Sequence, residues 1–184
     1  MQSDARAHIL ETMRVLTIRA GALPSMDAVA KAAGVSKGGL THHFPSRPAL
    51  LSALVEMVGW RTTETFERSR ATRPVSAAYL ETSMPDSGEL DDFFVLFTCY
   101  QALRAAGVHG DPAFEAFITD LTRDLTAELG DPFKALVVRL VGDGLLLNAV
   151  MGTPVPGPER DALIEHFSAG RPTPSAATTP ESTS

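Results

Sequence analysis

Residues 25–50, SMDAVAKAAGVSKGGLTHHFPSRPAL, decide the fold. Ser25 is suited to cap a helix over residues 26–33, because its hydroxyl can accept an otherwise unpaired amide of the first turn. Gly34 follows, and a residue without Cβ can end a helix at positive φ without a clash. Val35 then plugs a corner, and Ser36 can cap a second short helix running to about His43. Val29, Ala33, Val35, Leu40 and Phe44 fall where two steeply crossed helices would touch, and Ala30 lets the backbones approach. Lys37, Gly38, Gly39, Thr41, His42 and His43 are left facing outward. Two core helices joined by a tight turn would give the same glycine. The spacing of small, apolar and exposed basic positions over the whole stretch instead suits a helix that enters a DNA major groove.

The segment from about Ala7 to Leu54 resembles the TetR family of bacterial transcriptional regulators. The resemblance is carried by AVAKAAGVSKGGLTHHFPSRPALL and by the passage through Phe44-Pro45-Ser46 into a long fourth helix. It implies an all-α protein, with a three-helix helix-turn-helix head and a helical body that binds an effector and dimerises. It also implies a ligand-responsive regulator that binds double-stranded DNA as a homodimer and is released by a small molecule. Repression is the default sign in such relatives. Two positions depart from the family's habit: Thr41 stands where Tyr is usual, and Arg47-Pro48 where Lys-Glu is frequent. Thr41 can still bond a phosphate or touch a thymine methyl, but it lacks a tyrosine's reach. Arg47 keeps the charge, and Pro48 costs little in a first helical turn.

The expected DNA contacts follow from these positions. Lys37 is the foremost base or phosphate contact, and Gly38 and Gly39 allow close backbone approach. His42 and His43 come next, and Thr41 is a phosphate contact. Ser25, Ser36 and Arg47 lie at helix N-termini, where amides and the helix dipole favour an anion. Asp27 lies close by, but an anion there discourages phosphate, so it is left out of the set.

The net charge of −6 divides along the chain. Through Arg73 there are ten Lys/Arg against six Asp/Glu, a balance of +4; beyond it, six against sixteen give −10. A basic head on an acidic body concentrates the attraction to phosphate at one end. A chain of 184 residues can hold both around real cores. The single Cys99 excludes an internal disulfide and a cysteine zinc cluster. No N-terminal stretch reads as a signal peptide, and Lys134, Arg139 and Asp143 interrupt the longest apolar run. No membrane association and a cytoplasmic location are expected.

The expected division is a head over 1–46, a body over 47–170 and a disordered tail over 171–184, whose Pro/Ser/Thr/Ala composition buries little. In the head, a first helix to Ala20 covers the reading helices with Ile9, Met13 and Leu16. A fourth helix runs from Arg47 to about Arg70, capped by Ser46. Residues 71–87 read as a short helix within a loop. Ser87 then caps a helix whose centre, Phe93 to Leu103, is apolar nearly all round and so is expected to be the body's buried central helix. Asp111-Pro112 and Asp131-Pro132 each start a helix with a cap and a proline at the first position. Gly157-Pro158 starts the last.

Three further expectations concern the body. Gly142 and Gly144 interrupt a helix at some cost, which is tolerated where another backbone comes close. The resemblance places a dimer interface on the last two long helices, here Leu136, Arg139, Leu140, Gly142, Asp143, Gly144, Leu147, Leu163 and Phe167; close packing within one subunit is the competing explanation. A cavity bounded by Trp60, Phe93, Phe94, Phe97, Tyr100, Phe114 and Phe117 would take a hydrophobic effector, although the same residues serve equally as plain core. Catalysis is not expected. His42 and His43 diverge by about 100° on a helix, and no HExxH, Cys/His spacing or phosphate loop accompanies His109, His166, Glu89, Asp91 and Asp92. No cofactor or metal is implied. The alternative is a helical dimeric adaptor of the same fold that has lost sequence-specific DNA binding.

Overall fold

A computed structural model describes residues 2–168; residue 1, residues 169–184 and hence the expected tail lie outside the described residues. Among the described residues the chain forms nine helices and no strand. These are α1 (Gln2–Ala20), α2 (Met26–Ala32), α3 (Lys37–His43), α4 (Arg47–Arg70), α5 (Val75–Thr82), α6 (Ser87–Ala105), α7 (Pro112–Leu129), α8 (Pro132–Val150) and α9 (Gly157–Ser168). Among the described residues no helix is long and apolar enough to cross a membrane.

The boundaries arise from local chemistry. Ser25, Ser36 and Ser46 each accept the amide three residues on, at 3.2, 3.0 and 3.2 Å. Gly34 takes φ +67°, and the Val35 amide returns to the Ala30 carbonyl at 3.0 Å, closing α2 so that the chain turns sharply into α3. Asp111 and Asp131 cap α7 and α8 ahead of their prolines. The α6 cap is Asp86 rather than Ser87: Asp86 accepts the Gly88 and Glu89 amides while Glu89 reaches back to the Asp86 amide. A carboxylate with a glutamate three residues later satisfies two otherwise unpaired donors, which a lone serine cannot do.

Two cores organise the packing. The first joins Ile9, Leu10, Met13, Val29, Leu40 and Phe44 of the head to Leu50, Leu54 and Val58 of α4, and continues into Val95, Leu96, Cys99 and Leu103 of α6. The second gathers Phe66, Tyr79, Leu80, Leu121, Leu125, Val138 and Leu145, with Leu163, Ile164 and Phe167 packed against it. The long α4 runs through both.

One expectation is extended here and one corrected. The short helix expected within 71–87 is α5, and it is a core element: Ser76 through Leu80 are all buried, and α5 packs against α4, α7, α8 and α9. It lacks a cap of its own, and Glu128 of α7 supplies one, accepting the Val75 and Ser76 amides and the Ser76 hydroxyl. Conversely, α6 is not buried all round. It lies against α1, α4 and α8, and Phe97 is left 47 % exposed. Its apolar surface exceeds what those neighbours cover.

Candidate functional site

The α3 surface is built by burying a few residues and freeing the rest. Leu40 and Phe44 anchor the helix in the first core, while Lys37, Gly38, Thr41 and His42 are exposed and Gly39 and His43 half-buried. His43 lies against Phe44, with ring centres 6.4 Å apart, and His42 meets it edge-on at 5.5 Å. His43 therefore serves packing as much as any outer contact.

Each expected contact has a definite setting. Lys37 Nζ lies 3.2 Å from Asp27 Oδ1, and both side chains are largely exposed. The Thr41 hydroxyl donates within α3, to the Lys37 and Gly38 carbonyls at 3.0 and 3.1 Å. It must exchange that bond to donate to a phosphate. Ser25 and Ser36 accept amides, so their hydroxyl protons remain available to an anion. Arg47 differs from expectation: Nη1 donates to the Pro24 carbonyl at 2.7 Å and the residue is half-buried, so it ties the α1–α2 loop to α4 rather than projecting freely.

The sequence sets Asp27 aside from the DNA contacts but does not reveal its pairing with Lys37. The Asp27 carboxylate and the Lys37 ammonium meet across the turn between α2 and α3, and no i,i+4 spacing signals that pair.

The nine residues expected at a dimer interface separate into two groups. Leu136, Leu140 and Leu147 are 40, 54 and 54 % exposed, and a Cβ on Gly144 would meet nothing within 4 Å. Phe133 and Met151, 71 and 69 % exposed, extend this row at the same three-to-four-residue spacing. The other group faces its own chain. A Cβ on Gly142 would overlap the Tyr79 ring and lie 2.8 Å from the Ser83 hydroxyl. Asp143 accepts from the Tyr79 hydroxyl at 2.6 Å and pairs with Arg139 at 3.0 Å. Burial, together with the Asp143 carboxylate, pushes the Tyr79 phenol well above its ordinary pKa and keeps it the donor. Leu163 and Phe167 pack on the second core.

The seven aromatic residues do not enclose one cavity. Trp60, Phe97 and Phe114 are 66, 47 and 52 % exposed, and Phe94 is half-buried. Phe117 meets Phe66 edge-on in the second core at 5.5 Å, while Tyr100 lies 6.2 Å from Phe114 and donates to Asp111. Only Phe93 of the set lines a cleft of about 290 Å³ between α4, α5 and α6. The rest of its wall is polar: Arg61, Thr62, Glu64, Thr65 and Arg68 from α4, Thr82 from α5, and Glu89 and Asp92 from α6. Phe117 belongs to packing between helices, Trp60 and Phe97 lie largely at the surface, and the helix ends that meet at the cleft are hydrophilic.

A capped, exposed short helix on a three-helix head, joined by one long helix to an all-α body, defines a helix-turn-helix regulator. Residues 9–54 match the family model for bacterial regulatory proteins of the tetR family, and residues 73–169 match a tetracyclin repressor-like C-terminal domain. The chain belongs to the TetR family and is a DNA-binding transcriptional regulator. Compared with the curated proteins, the sequence matches none.

Proposed function

We propose that the protein is a cytoplasmic homodimeric repressor that binds an inverted-repeat operator and is released by a small molecule held in the cleft between α4, α5 and α6. The observation that carries this reading is the exposed apolar row of α8, from Phe133 through Leu136, Leu140 and Leu147 to Met151. An apolar row of that length on a soluble helix calls for a cover, and a twofold copy of itself supplies one around the open Gly144. One reading helix meets only a few base pairs, and twofold symmetry doubles them and demands an inverted repeat. Release is supported by shared helices: α4 and α6 build the cleft and also hold the first core beneath the head. An effector acts by binding more tightly to the conformation whose heads no longer match the half-site spacing.

The test is selection of bound fragments from the source genome, followed by gel-shift titration and sedimentation. The expected outcome is a twofold-symmetric site, one dimer per site, and affinity that falls steeply with added salt as counterions are released. Purified protein that ignores every duplex at low ionic strength would reject this reading in favour of the adaptor.

A further inference from the structure

Four charged residues of alternating sign run between the cleft and the head. Asp92 on α6, only 8 % exposed, accepts a hydrogen bond from Arg14 Nε on α1. Arg14 Nη1 lies 3.1 Å from Glu11 Oε1, and the other oxygen of Glu11 takes Arg61 Nη2 of α4 at 2.9 Å. The two ends, Asp92 and Arg61, line the cleft, while the two middle residues sit on the helix that covers the reading pair. The Arg14–Asp92 pair is the drier, with side chains 17 and 11 % exposed against 39 and 41 % for Arg61–Glu11. It is therefore the less solvent-screened of the two, and it ties α1 to α6 where Arg61–Glu11 ties α1 to α4.

The hydrogen-bonding balance of the cleft states what an occupant must bring. The Thr62 and Thr82 hydroxyl protons are spent on the Gly59 and Ala78 carbonyls, both at 2.9 Å, and that of Thr65 goes to Arg61. These three residues offer lone pairs only. Arg61 is engaged by Glu11, and Arg68 donates to Thr65. Against them stand three carboxylates: Glu89, bound by one backbone amide; Glu64, in no ion pair among the described residues; and Asp92. Arg61 and Arg68 keep N–H donors beyond those two bonds, but the three carboxylates outnumber the two guanidinium groups, so the lining carries an excess of negative charge. Phe93 is the aromatic residue of the lining, and an aromatic ring attracts a cation; the −10 balance of the chain beyond Arg73 draws cations toward the body.

We infer that the cleft takes a small organic cation, whose ammonium or guanidinium group replaces Arg14 on Asp92 and frees α1 from α6. The inference rests on the effector release proposed above and assigns its ligand class. Exchanging one cation for another leaves Asp92 paired, so no bare buried carboxylate opposes the step. Arg14 keeps Glu11 as a partner. The head then loses the drier of these two ion pairs with the body.

The test uses the full chain with benzylammonium chloride, benzyl alcohol and sodium benzoate at matched ionic strength. Binding is measured by calorimetry. Head-to-body distance is measured between labels at Lys31→Cys and Ala127→Cys, with labelled chains diluted into excess unlabelled protein; the Cys99 thiol, pushed up to about 12 by burial, stays unlabelled. Benzylammonium is expected to bind at least tenfold more tightly than the other two and to change the distance. Asp92→Asn should lose that binding and show the changed distance without ligand. The charge-swapped chain, Arg14→Asp with Asp92→Arg, should restore the original distance but not the binding. Equal binding of all three probes, tighter binding of benzoate, or no binding overturns the ligand class. An unchanged distance in both the liganded protein and folded Asp92→Asn overturns the tie. None of these readouts involves DNA, so failure of operator binding would sink the repressor alone.

Discussion

The reading helix α3 and the long helix α8 both leave a face uncovered, and the two faces are opposite in kind. On α3 the free face is Lys37, Gly38, Thr41 and His42, polar or without a side chain, and water satisfies it until DNA arrives. On α8 it is Phe133, Leu136, Leu140, Leu147 and Met151, which water does not satisfy. The first face can wait for its partner; the second favours a permanent cover. A regulator that reads DNA transiently and pairs with a second copy, as proposed, has use for one of each.

The largest expected effect strikes the α8 face. Leu140→Glu with Leu147→Glu should convert the dimer to monomer in sedimentation and abolish full-operator binding while helicity persists. Each buried leucine is worth roughly 1.5–3 kcal/mol, and two are lost from each copy. A persistent dimer would move the interface elsewhere. Next, two glycines two positions apart on α8 should separate cleanly. Gly142→Val drives a side chain into Tyr79 and Ser83 and should lower unfolding free energy by about 1–3 kcal/mol in denaturant titration. Gly144→Val meets nothing in its own chain, so it should leave monomer stability nearly untouched and weaken dimerisation. Equal stability losses would erase the distinction between the two sides of the helix.

On α3 the effects are smaller. Lys37→Ala should weaken operator binding by about 1–3 kcal/mol in gel-shift titration without altering the melting of the body. Asp27→Asn should do the reverse, strengthening it by about 0.2–1 kcal/mol, because an exposed ion pair that competes with phosphate is removed. Weaker operator binding in Asp27→Asn would mean that the carboxylate positions Lys37 rather than competes for it.

The helix-turn-helix was legible because its reasons are local. Ser25, Gly34, Ser36 and Ser46 act within three or four residues of themselves, and the apolar spacing of Val29, Leu40 and Phe44 closes over one turn of chain. The starts of α7 and α8 were legible for the same reason, as an aspartate followed by a proline. Composition along the chain likewise declared a basic head and an acidic body. Tertiary structure alone decided the rest, because each decision belongs to a pair of distant residues. Tyr79 made Gly142 an internal contact, Pro24 drew Arg47 inward, and Glu128 capped a helix it does not belong to. Asp92 met Arg14 across 78 residues, a partnership no periodicity encodes. Burial is set by which neighbours arrive, so an apolar residue in the sequence states a willingness to be covered, and only the assembled fold shows whether its own chain does so.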